Sequence, residues 1–301
     1  MIVRARVGAI EVPIILLGSY SPKCRLSRGR TVLAVSDYFE SQENPKDGYA
    51  WSLSVAPSGW WRLVEELADR IVEGACHKRD LYETWREVRD GLTTWGASDR
   101  EVFQKGVIGP LFGVPSRPTP DDHLQGAIAE FLWFFITKAG TYEGRLLHLT
   151  RPKSRVTTQG GDGMEIRVLQ RGSVRFRLWE IKKAVGTSTV SGACSTAYRQ
   201  LDERALEYLA EYARVMEESR HPDVAALAPD MPTLWVDADD RASPGVAVTS
   251  TTMHQQGSYF NSFKSHFEQF KSPSRIRGAV ILVPEYPKFC SEVRAEVWKG
   301  L

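Results

Sequence analysis

The stretch GDGMEIRVLQRGSVRFRLWEIKK, residues 161–183, decides how this chain is read. Side chains alternate between the two faces of a strand, so Val174, Phe176, Leu178, Glu180 and Lys182 share one face. Arg175, Arg177, Trp179 and Ile181 share the other. The first face opens apolar, as a core-facing strand should, yet closes on a carboxylate and an ammonium two residues apart. The preceding segment does the same: Asp162 has the parity of Met164, Ile166 and Val168. Two strands are expected, Asp162–Leu169 and Val174–Lys182, joined by a turn over 170–173. That turn puts 169 opposite 174 and Asp162 opposite 181, beside Glu180 and Lys182 at the open end of the hairpin.

Upstream, DDHLQGAIAEFLWFFITK (121–138) reads as a helix with an Asp pair at its N-terminus. Glu130 is its one charged residue between Asp122 and Lys138. A helix apolar nearly all round is buried, so Glu130 is expected to be buried as well. Buried charges are costly unless paired or bound to a metal. Each of these residues alone has a plain explanation as a strand end, a turn residue or a salt-bridge partner. Three acids and a lysine arriving together point instead to a Mg²⁺ site, because Mg²⁺ takes a few carboxylates plus waters.

Further elements follow from the pattern: strands at 145–150, 233–238 and 278–283, a long helix at 192–218 and another near 258–270. The order from 121 is helix, three strands, helix, strand, helix, strand. The Gly- and Pro-rich stretch 106–120 is read as a boundary between a smaller α+β domain, 1–115, and a second domain, 116–301. The first part should hold strands at 7–17, 31–36 and 49–56 and helices at 59–74 and 80–89. Its tryptophans are expected mainly in packing.

The 161–183 residues resemble the PD-(D/E)xK nuclease superfamily, with Gly161-Asp162-Gly163 followed by Trp179-Glu180-Ile181-Lys182; Gly161 stands where the nominal Pro would be. The resemblance covers about residues 121–285. It implies an α/β (α+β) fold with a restriction-endonuclease-like αβββαβ core, a central mixed β-sheet flanked by helices. It also implies a metal-dependent nuclease acting on DNA in restriction, repair or antiphage defence. Asp162, Glu180, Glu130 and the carbonyl of Ile181 would hold Mg²⁺, with Mn²⁺ as a substitute, and Lys182 would act on the attacking water. Gln200, in Tyr198-Arg199-Gln200, loosely matches a Gln that some members carry on the following helix. Family habit further suggests a helicase or ATPase partner, since the chain has no Walker A string, or a homodimer.

Phosphate contacts are expected from Arg151, Lys153 and Arg155 in the loop before Asp162, where Gly160, Gly161 and Gly163 would let backbone approach a ligand. A second basic group, Lys264, Lys271, Arg275 and Arg277, alternates with Phe263, Phe267 and Phe270. Glu165 and Lys183, of opposite parity, should matter less. The net charge of only +2 in 301 residues means that DNA affinity must come from such local clusters. Four scattered cysteines fit reduced thiols in a cytoplasmic protein, and the Val12–Leu17 run is too short to span a membrane. The competing expectation is a non-catalytic nucleic-acid-binding or assembly subunit that keeps the fold.

Overall fold

In the computed structural model the chain is described at residues 2–7, 10–15, 38–43, 50–56, 59–76, 78–140, 144–152, 161–169, 172–251, 259–260, 262–270 and 275–301. Two compact units divide at Leu33/Ala34. The first contains β1 (Ile2–Val7) and β2 (Ile10–Ile15), an antiparallel pair with Ile2 opposite Ile15. Of the expected strand 7–17, residues 10–15 form β2 and Val7 ends β1; strand 31–36 lies outside the described residues.

The second unit, Ala34–Leu301, begins with β3 (Phe39–Glu43), β4 (Ala50–Val55), α1 (Trp60–Ala75) and α2 (Arg79–Arg89). A short helix α3 (Ala97–Val102) runs through a π-helical turn, Phe103–Ile108, into α4 (Gly109–Phe112). The two-residue strands β5 (Gly113–Val114) and β6 (Arg117–Pro118) lead to α5 (Asp121–Ala139). Then come β7 (Arg145–Leu149), β8 (Gly163–Val168), β9 (Val174–Ala184) and α6 (Val190–Met216). The chain closes with α7 (Pro222–Leu227), α8 (Met231–Val236), β10 (Ala242–Ser250), α9 (Phe263–His266), β11 (Arg277–Leu282) and α10 (Tyr286–Lys299).

Seven strands form one mixed sheet in the order β3-β4-β11-β10-β9-β8-β7. β4, β11, β10 and β9 run parallel to one another, while β3, β8 and β7 are antiparallel to their neighbours. This corrects the expected domain boundary. β4 hydrogen-bonds to β11, so residues far on either side of 106–120 share a sheet, and that stretch joins parts of one unit.

The strand expected at 233–238 is also displaced. Met231, Leu234 and Trp235 recur at helical spacing and are buried, whereas the strand is 242–250, buried throughout. Its Pro244 and Gly245 read as breakers. Pro244 is tolerated because β11 joins only from Gly245 onward. Gly245 is needed because the Trp179 ring lies 2.5 Å from where a Cβ would sit.

α6 covers the sheet face bearing Met164, Ile166, Phe176 and Leu178; Tyr198, Leu201, Ala205, Tyr208 and Leu209 are its buried residues there. The Thr189 hydroxyl caps it by accepting from Gly192 N–H at 3.0 Å. α5 covers the opposite face, where Trp133 meets Trp179 at 5.6 Å between ring centres. α10 lies beside α5, with the Tyr286 hydroxyl donating to the Gln125 carbonyl at 2.6 Å. Among the described residues no helix is long and apolar enough to cross a membrane.

Candidate active site

The β8–β9 register sets the site. Gly163 pairs with Trp179 and Val168 with Val174, and Leu169 N–H bonds to Ser173 O at 2.9 Å. The connection is thus one residue shorter than expected, closing through Gly172 at φ 80°, and Asp162 comes level with Glu180 instead of Ile181. A one-residue slip moves every side chain to the other face. The observed register is the one that places Met164 and Ile166 beside Leu178 and Phe176 on the α6 face.

The ladder stops at the Gly163–Trp179 pair. The next donor on that edge of β9 is Ile181 N–H, which would meet the Gly161 carbonyl if the pairing continued. Instead it donates to Asp162 Oδ2 at 2.8 Å, and the Gly161 carbonyl accepts the Tyr212 hydroxyl at 2.8 Å. β8 therefore peels away from β9 at the site. Because both main-chain groups of a strand residue point to the same edge, the Ile181 carbonyl also faces this notch.

Glu180 is fully buried, at 0% exposure. Lys182 Nζ donates to its Oε1 and lies 3.9 Å from Asp162 Oδ2. Among the described residues Glu180 Oε2 is buried with no hydrogen-bond partner. Two carboxylates thus share one ammonium, and the deeper one has an oxygen to spare. Burial, then the Asp162 charge, push the Glu180 carboxyl well above its ordinary range, and Lys182 only partly offsets them. For Lys182 burial acts downward, but Asp162 and Glu180 outweigh it and the ammonium is held more firmly than usual.

α6 adds two tyrosines four residues apart that the sequence reading did not single out. Tyr208 accepts the Gln200 side-chain N–H at 3.0 Å; burial raises its hydroxyl pKa, that bond offsets part of the rise, and the Glu180 charge adds to it. Tyr212 is raised by burial and then by Asp162, with Glu211, Glu130 and Glu180 adding. The helical spacing of Tyr208 and Tyr212 with the buried Leu201 and Ala205 was the available signal for them.

Glu130 is half-buried on α5 instead of buried, one turn before Trp133. Its charge reaches Tyr212. Among the described residues no group of three or more His, Cys, Asp and Glu side chains is assembled to hold a metal, so Glu130 stands outside the Asp162–Glu180 pair. The glycines are packing positions: the Trp133 ring fills the space over Gly163, and Tyr212 and Tyr208 ring atoms lie 3.0 and 3.3 Å from where a Gly161 Cβ would be.

Arg151 is exposed at the same sheet end, since Thr150 N–H bonds to Met164 O at 2.8 Å. Lys153, Arg155, Gly160 and Lys271 lie outside the described residues, as does the Lys264 side chain. Arg275 is no surface contact. It is buried, donates to the Ala242 carbonyl at 3.0 Å and lies over the Phe270 ring at 4.8 Å. Phe263, Phe267 and Phe270 are core, and the helix expected near 258–270 is the single turn α9.

Lys183 is tied to Asp122, donating to its carbonyl at 2.7 Å, and so pins the start of α5 to β9. Glu165 is 1% exposed. It accepts from Arg167 at 2.7 Å, Arg177 at 2.9 Å and Trp179 at 3.1 Å, so the two residues of opposite parity both take part in structural contacts. No family model matches this sequence, and no curated protein matches it.

Proposed function

We propose that this protein is a divalent-metal-dependent nuclease that hydrolyses DNA phosphodiester bonds, built on the restriction-endonuclease-like pattern. The observation that carries the reading is Glu180 Oε2, a buried carboxylate oxygen without a partner among the described residues, level with Asp162 and beside Lys182. Support for the fold comes from the order α5, β7, β8, β9, α6, β10, with β9 and β10 parallel at the centre of a mixed sheet.

The donors suit a hard divalent cation such as Mg²⁺ or Mn²⁺, which binds through one or two carboxylates and leaves its other positions to water and phosphate. Asp162 and Glu180 would hold it, with the Ile181 carbonyl at the same notch. When bound, the cation supplies charge neutralisation and Lewis acidity at the phosphoryl group. Lys182, held between the two carboxylates, orients the attacking water by hydrogen bonding and offsets the charge developing on the phosphoryl oxygens. Arg151 at the same sheet end offers a backbone phosphate contact.

The test is incubation with plasmid and linear DNA in Mg²⁺, Mn²⁺ or EDTA, beside Glu180→Ala and Lys182→Ala. Cleavage should require metal and fall by about 10²–10³ in either variant, the usual effect of removing an electrostatic group from such a site. Cleavage that survives EDTA or both substitutions would contradict the reading. Binding without cleavage, equal in all three proteins, would favour a non-catalytic nucleic-acid-binding role.

A further inference from the structure

We infer that Tyr212 is a positioning residue of this site: its hydroxyl holds the Gly161 carbonyl off β9 and so aims Asp162 at Glu180. The inference rests on the proposed metal-dependent function and deepens it. Continued pairing would join Gly161 to Ile181, taking up the Ile181 N–H and carbonyl in the ladder. Tyr212 removes one half of that pair by donating to Gly161 O at 2.8 Å. Asp162 then takes the released Ile181 N–H at 2.8 Å, which fixes one carboxylate oxygen and turns the group toward Glu180 and Lys182.

The residues around the contact are matched to it. A Cβ on Gly161 would lie 3.0 Å from Tyr212 Cε2 and 3.3 Å from Tyr208 Cβ, so a side chain at 161 would press on both residues and displace the ring that reaches the carbonyl. Tyr212 comes from α6, whose buried residues seal the same sheet face. The helix thereby sets where β8 ends.

Removing an outer partner that orients a ligand typically weakens metal binding about 10–100-fold. Tyr212→Phe keeps the ring and deletes the hydroxyl. Mn²⁺ titration of the full chain, read by electron paramagnetic resonance, should give about tenfold weaker binding at a nearly unchanged thermal midpoint. Excess Mn²⁺ should restore cleavage in kcat, with the defect confined to the metal requirement. Gly161→Ala, which disturbs the same contact from the other side, should shift Mn²⁺ affinity in the same direction. Wild-type binding matched within twofold by Tyr212→Phe overturns the positioning role alone. A wild-type chain that binds no Mn²⁺ overturns the nuclease reading and this inference with it.

Discussion

The two faces of the β8–β9 hairpin both bury charge, and they do so on opposite terms. On the α5 face Glu165 meets Arg167 and Arg177 and accepts the Trp179 indole N–H as well. Arg167 reaches the carbonyls of Gly144 and Thr137 at 3.2 and 3.1 Å, and Arg177 the Ser243 hydroxyl at 2.9 Å. On the α6 face one ammonium serves two carboxylates, and one buried oxygen has no partner among the described residues. Buried charge by itself therefore does not mark a site. The difference lies in partners. The guanidinium groups beside Glu165 also reach carbonyls and a hydroxyl, whereas Glu180 Oε2 has no partner among the described residues. A buried carboxylate left so is costly unless a cation joins it.

The comparison breaks most visibly at Glu165. Its removal as Glu165→Ala strands two buried guanidinium groups, which costs about 3–5 kcal/mol. For a chain of this size that lowers the unfolding midpoint by roughly 5–8 °C. A midpoint within a degree or two of wild type in a calorimetric scan would mean that the α5-face network is not structural. Gly163→Ala acts on the same face by overpacking, since the added methyl would enter the Trp133 ring. The expected loss is about 3 kcal/mol, toward the upper end for overpacked cores, measured by urea denaturation; a loss under ~0.5 kcal/mol would show that the ring moves aside freely.

Much of this contrast is legible before folding. The alternation in VRFRLWEIK and the charged ends of two apolar faces identify Asp162, Glu180 and Lys182, because strand parity is a local property. The register differs by one residue from the one the sequence suggests, since it depends on a Gly172 backbone at positive φ, which the turn composition allows but does not dictate. Parity sets Glu165 apart from the site but does not give its burial, because a strand with helices on both faces has no solvent side. β10 hid behind Pro244 and Gly245, whose tolerance comes from where β11 starts and where Trp179 lies. Tyr212 depends on a contact 51 residues away in sequence. Likewise, nothing local to residues 50–55 announces their pairing with 278–282.

The smallest effect has the opposite sign and concerns Glu180 without metal. In the unfolded chain its carboxyl titrates near ~4.3; in the fold, burial and Asp162 raise that value well above the ordinary range. The folded state therefore holds the proton more tightly, and between the two values it binds more protons than the unfolded state. Stability contributed by this group is fully present below the unfolded value and is lost as pH rises through the folded one. Glu180→Gln removes the titration and the buried negative charge together. In EDTA at neutral pH it should stabilise the chain by about 1–2 kcal/mol, within the usual cost of an unsatisfied buried group, and the gain over wild type should shrink as pH falls toward ~4.3. Urea unfolding of both proteins across that range cancels the other carboxylates in the difference. A gain independent of pH would place the relief in packing instead of charge. A loss in place of a gain would mean that Lys182 depends on Glu180 more than Glu180 suffers from Asp162.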